Sequence, residues 1–93
     1  MLFDTAARAL LVSGNLVDAT AREINLLEHL LRRVGHVVPR PMLENSLYSM
    51  ENAVTPNALD ASVSRLRKRL KMAAANVQIR TVHGIGYVLF EPR

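Results

Sequence analysis

The sequence predicts one α+β domain in which an N-terminal antiparallel sheet, three helices and a C-terminal β-hairpin follow one another. Three observations carry this reading. Thr20-Ala21-Arg22-Glu23 has the spacing at which a threonine hydroxyl caps the third amide of a helix and the glutamate reaches back to the cap amide, ahead of apolar residues at helical spacing. Leu59, Val63, Leu66 and Leu70 repeat at threes and fours within a basic segment. Two β-prone runs, Val77 to Val82 and Tyr87 to Phe90, flank His83-Gly84-Ile85-Gly86. Ninety-three residues, 49% hydrophobic and 22% charged, suit a single globular unit, since domains run from roughly 50 to 250 residues.

Each element follows in order. Leu10, Val12, Leu16 and Val17, interrupted by Ser13-Gly14-Asn15, read as short strands joined by a turn. The first helix is expected from about Ala21 to Val34, with Ile24, Leu27, Leu31 and Val34 on its buried face and Gly35 as its left-handed terminus. Val37 and Val38 suggest a brief strand. Pro39-Arg40-Pro41 imposes an extended chain before a second helix that accepts Pro41 in its first turn, buries Leu43 and Leu47, and closes at Tyr48. After a polar loop, Thr55-Pro56 reads as a cap and first helical residue, opening a third helix that continues to about Met72. Sheet, three helices and hairpin in this order are the order of a winged helix-turn-helix.

Composition narrows the function. The chain has no cysteine, which excludes disulfides, thiolate nucleophiles and cysteine-based metal sites. His29 and His36 lack a ligand pair, so neither metal nor cofactor is expected. A domain this small buries only about 60–65% of its unfolded surface, leaving little room for an enclosed catalytic cavity, and an enzyme is disfavoured. Gly84-Ile85-Gly86 lacks the third glycine and following helix of a dinucleotide fingerprint and reads as a hairpin tip. No apolar run approaches membrane-spanning length, and Asp4 stands where a signal peptide would carry base, so a cytoplasmic chain is expected.

Charge is unevenly placed. Residues 1–56 carry five arginines against six acids, whereas residues 57–93 carry seven basic residues against two acids. Five positive charges fall within the seven residues from Arg65 to Lys71, the footprint of a polyanion-binding element or of a solvated helix face. Position on the helix decides between them. Opposite the leucine stripe lie Asn57, Ala61, Ser64, Arg65 and Lys68, with Arg67 on one flank and Ser62 and Arg69 on the other. Small residues at the centre and long cations around it suit a major groove, where central side chains meet base edges and flanking ones meet phosphates. Arg65, a planar donor fork, is the expected base reader; Arg67 and Lys68 are expected on phosphates. Arg69 suits an intramolecular ion pair as well as it suits DNA. Asp60, on a flank near the helix start, has a structural role. Tyr87 is expected to anchor the hairpin on the third helix.

Asn57 to Leu70, NALDASVSRLRKRL, together with Ile79 to Tyr87, IRTVHGIGY, resembles the OmpR/PhoB-type winged-helix effector domain of bacterial response regulators. Thr20, Glu23, Leu26-Leu27 and Val37-Val38 match as well, so the resemblance covers nearly the whole chain. It implies double-stranded DNA as the partner, with the third helix in the major groove and the hairpin wing over the adjoining minor groove. Position by position, it implies Arg65 as base reader beside Ala61, with Asn57, Ser62, Ser64, Arg67, Thr81 and His83 on DNA, mostly its backbone. Ser62 stands where the family often has His, and His83 where Arg is more usual, which implies weaker backbone contacts at both. Pro39 replaces the usual Ser cap, and Tyr48 stands where Trp is common. The resemblance also implies a receiver domain that accepts a phosphoryl group in a phosphorelay, for which 93 residues have no room, and a second copy on tandem half-sites. The resemblance implies contact with RNA polymerase through the loop 49–55, with Met50 and Glu51 as the exposed candidates, and a passive connector is the competing reading of that loop. Free in solution the domain is expected to be monomeric, on the expectation that it offers no extended apolar stripe outside its core. The competing readings are a winged-helix interaction module that binds an acidic protein partner, and non-specific binding to RNA or membrane.

Overall fold

The computed structural model describes residues 2–48 and 57–92. Strands β1 (Leu2–Asp4), β2 (Ala9–Val12) and β3 (Asn15–Leu16) form an antiparallel sheet in the order β1-β2-β3. Helix α1 (Ala21–Leu31) follows, then β4 (Val38–Pro39), α2 (Arg40–Tyr48), α3 (Ala58–Met72), β5 (Gln78–Val82) and β6 (Gly86–Phe90). The last two strands and β4 make a second antiparallel sheet in the order β4-β6-β5. This is the winged helix-turn-helix read from the sequence, α+β in class.

The β2–β3 turn needs only Ser13 and Gly14, both at positive φ (52° and 81°), which matches the twist of a two-residue hairpin, so Asn15 already belongs to β3. Leu10 and Val12 face the core. On the opposite face Leu2 pairs with Leu11 and Leu11 with Leu16, a cross-strand leucine row whose outer members are 63% and 69% exposed. The surface therefore does carry an apolar row outside the core, and the expectation of a free monomer loses the premise on which it rested.

Helix α1 begins as expected: the Glu23 amide donates to Thr20 Oγ1 at 3.2 Å. The Glu23 carboxylate, expected on the cap amide, accepts the Thr20 hydroxyl at 2.9 Å and turns inward to Arg69. The helix ends at Leu31, three residues before the expected end, because the next amides bond three residues back, Arg33 to Leu30 and Val34 to Leu31, and tighten the chain. Val34 is consequently 48% exposed and not on the buried face, while Gly35, at φ 83°, donates its amide to Leu89 of the wing. In α2, Leu43 and Leu47 are fully buried. Helix α3 starts at Ala58, with Asn57 at the cap position and making no side-chain cap bond; the expected Thr55-Pro56 start lies outside the described residues.

The core lies between the helices and the two sheets, with Leu10, Leu26, Leu27, Leu30, Leu59 and Leu66 among its members. The sharpest backbone constraint falls on Gly86. A Cβ there would stand 2.0 Å from the carbonyl oxygen of Val38, because β4 crosses directly over it. The wing is thus laid against the entrance of α2 by a pairing that only glycine allows, Pro39 opposite Gly86 and Val38 opposite Tyr87.

Candidate nucleic-acid interface

On a wheel of about 100° per residue, the buried residues of α3 span an arc of roughly 140°, wider than the leucine stripe alone. Ala58 and Ser62 extend it beyond Leu59, Val63, Leu66 and Leu70. This corrects the assignment of Ser62 to DNA: the residue is 0% exposed, and its hydroxyl donates to the Ala58 carbonyl at 2.7 Å. A small hydroxyl one turn from its acceptor satisfies itself inside the helix groove and so tolerates burial.

The opposite face is as the wheel places it. Asn57, Ser64, Arg65 and Lys68 are exposed and Ala61 is half-buried between them. Arg65 and Lys68 make no ion pair among the described residues. At the wing tip His83, Gly84 and Ile85 are exposed. Gly84 takes φ 78°, and the Ile85 amide closes the turn on the Val82 carbonyl at 3.0 Å.

Both flanks of α3 are tied down. On one, Arg69 donates from Nε to Glu23, which is 1% exposed, and from Nη1 to the Asp18 carbonyl, so it belongs to the fold. On the other, Arg67 donates from Nε to the Ile79 carbonyl at 3.1 Å and from Nη2 to Thr81 Oγ1 at 2.7 Å, with its guanidinium carbon 5.8 Å from the centre of the Tyr87 ring. Arg67 and Thr81, both expected on the DNA backbone, are thereby brought together and bonded to each other. Of the five N–H groups of Arg67 these two bonds use two, and Nη1 takes part in neither. Beside them Asp60 Oδ1 accepts Arg40 Nη1 at 2.8 Å and the Tyr87 hydroxyl. The Arg40 bond, and next the Tyr87 bond, hold the Asp60 carboxyl below its ordinary range. Burial, reinforced by Asp60, pushes the Tyr87 hydroxyl up.

Tyr87 anchors the wing on α3 as expected, whereas the bonds of Arg67 to Ile79 and Thr81 and of Asp60 to Arg40 were missed in the sequence. Asp60 and Arg67 lie seven residues apart, hence on one side of the helix, and that spacing was available; what Tyr87 brings to them depends on the β4–β6 pairing, which no local pattern encodes. Met50 and Glu51 lie outside the described residues. Among those residues no group of three His, Cys, Asp or Glu could hold a metal ion, and no helix is long and apolar enough to cross a membrane.

Residues 14–89 match the model of the family described as "Transcriptional regulatory protein, C terminal". The chain is 47% identical over 87 residues to the probable transcriptional regulatory protein y4xI of Sinorhizobium fredii, covering 94% of this chain and 38% of that protein. It thus spans about two fifths of the length of relatives it matches. The fold superposes on the DNA-binding domain of response regulator AdeR, solved in complex with an intercistronic region, with a TM-score of 0.84 at 25% identity, covering 98% of this chain and 94% of that one. The DNA-binding domain of Klebsiella pneumoniae RstA in complex with RstA box follows, with a TM-score of 0.77 at 26% identity over 95% of this chain and 88% of that one. A basic third helix with an unpaired outer face, a wing fastened against it, and these matches agree: the chain belongs to the family of C-terminal domains of transcriptional regulatory proteins, the OmpR/PhoB-type winged-helix DNA-binding domains of response regulators.

Proposed function

We propose that this domain binds double-stranded DNA sequence-specifically as the output domain of a two-component transcriptional regulator, with α3 in the major groove and the β5–β6 wing over the adjoining minor groove. One observation carries the reading: the cations of α3 are sorted, Arg67 and Arg69 on the flanks bonded to the protein and Arg65 and Lys68 on the outer face left without partners among the described residues. Arg65 and Lys68 are thereby presented outward together, beside the small residues Ala61 and Ser64. Arg65 reads a base, with Ala61 as its apolar neighbour. Lys68, Ser64, Asn57, the remaining donors of Arg67 and His83 meet the backbone, which fixes register without carrying sequence. Support comes also from the AdeR and RstA domains, both solved on DNA.

One α3 covers about half a turn of major groove, too few base pairs to select a genomic site, so two copies on half-sites about one turn apart are part of the proposal. A receiver domain elsewhere in a longer protein would raise the effective concentration of the second copy. RNA polymerase, through the loop 49–55, is the proposed partner in activation.

Selection of bound duplexes from a random pool, followed by titration of the winner and a scrambled duplex at one salt concentration, tests the reading. A preference of about 10³-fold or more is expected, with saturation at two proteins per two-half-site duplex. Equal affinity for both duplexes would sink the sequence-specific reading.

A further inference from the structure

One of the side chains that fasten the wing to the helix pair is itself buried. Tyr87 is 4% exposed, and a phenylalanine would fill nearly the same volume; what the tyrosine adds is a hydroxyl that donates to Asp60 of α3. The same carboxylate oxygen holds Arg40, the first residue of α2, whose own amide donates to the Ile85 carbonyl at the wing tip at 2.9 Å. Arg67 lies over the Tyr87 ring and ties the facing strand through Ile79 and Thr81. A closed circuit therefore runs from α3 to β6, along the wing tip to α2, and back to α3, with Asp60 as its common acceptor.

The pairing of Val38 and Pro39 with β6 fixes the base of the wing, and the side-chain hydrogen bonds from Tyr87 and Arg67, at fixed angles, set how the sheet turns against α3. Two contacts on one duplex reinforce each other only when the geometry allows both at once. We propose that Tyr87, acting through Asp60, is a positioning residue that sets the angle between the wing and α3, so that the wing tip reaches the groove beside the one α3 occupies. This rests on the DNA-binding reading above.

The test is a footprint of the 93-residue chain and its variants on the selected duplex. Protection of guanine N7 from methylation reports α3, and protection of the sugar backbone from hydroxyl radicals across the minor groove reports the wing. Tyr87→Phe should keep the methylation protection and lose most of the minor-groove protection, while affinity falls about tenfold. His83→Ala, which alters the wing tip directly, should give the same pattern, and Asp60→Asn, which keeps an acceptor oxygen, a milder one. Denaturation of each variant checks that it is folded at the assay temperature. Loss of both protections in proportion, or an unchanged footprint for Tyr87→Phe, would overturn the proposal. A wild-type domain that protects no duplex would instead defeat the DNA reading itself, and one that protects only the α3 groove would defeat the wing proposal alone.

Discussion

The outer face and the flanks of α3 hold the same residue types in adjacent positions and use them differently. Arg65 and Lys68 are exposed and without partners among the described residues, while Arg67 and Arg69, one or two residues away, are bonded to the wing and to α1. The difference comes from what each flank meets. Arg69 faces a buried carboxylate whose other bond is from the Thr20 hydroxyl, Arg67 faces the carbonyl edge of β5, and the outer face meets nothing among the described residues. A basic run is therefore two populations, one that builds the fold and one that the fold presents.

The comparison breaks most visibly at Arg69. Arg69→Ala leaves Glu23 buried without its cation, and a loss of about 3 kcal/mol in unfolding free energy is expected, against about 0.5 kcal/mol or less for Lys68→Ala. Urea denaturation of both variants measures it. Equal small losses would mean that water replaces Arg69 at Glu23 and that the flank is no more structural than the face. The double variant Glu23→Gln, Arg69→Ala should recover part of the loss, since no charge is then left stranded.

At Arg65 the expected effect moves from stability to binding. Arg65→Ala should cost ~1–3 kcal/mol on the preferred duplex and relax selection at one base pair, with the denaturation midpoint unchanged. If the loss is equal on random DNA, Arg65 contacts phosphate and the base reader lies elsewhere on the face.

Arg67 sharpens the boundary because it takes part in both populations. Through its remaining donors, Arg67→Ala should weaken specific and random duplexes alike and make the salt dependence shallower by about 0.9 in log–log slope, one phosphate equivalent. An unchanged slope would assign Arg67 wholly to the wing.

Much of this division was legible in advance, because periodicity is a property of the sequence and burial follows it. The leucine stripe of α3, the outer residues Asn57, Ser64, Arg65 and Lys68, and the capped start of α1 all rest on local spacing. What local spacing leaves open is the width of a buried arc. Ser62 sits at the edge of the stripe, where a polar residue is read as exposed unless its hydroxyl is known to have an acceptor within the helix. Val34 failed in the other direction: helical spacing carries on past the point where the backbone tightens. The partners of Arg67, Arg69 and Asp60 come from other elements, and the outer leucine row depends on strand register, so neither could be read from one segment.

The smallest effect concerns pH and separates Asp60 from the other titrating groups. Its carboxyl is held below the ordinary value by Arg40 and then Tyr87, so folding favours the anion. The stability this contributes is complete above the unfolded carboxylate value of about 3.9 and is lost as pH falls through the lowered folded value. Glu28, lowered chiefly by its bond from Arg8, acts in the same acid window, whereas His29, lowered by burial, begins to cost stability already as pH falls below about 6.5. Acid unfolding of the wild type therefore mixes Asp60 with Glu28 and His29 among the described residues, and Asp60→Asn isolates one of them. The side chain of Asp60 is 52% exposed, so water screens the pair and the effect is modest. The difference in urea midpoint between wild type and Asp60→Asn should be greatest near pH 7 and shrink toward roughly pH 2. A difference that stays constant across that range would mean that the carboxylate's charge is not what Arg40 and Tyr87 engage, and that Asp60 joins the wing to the helix pair by shape alone.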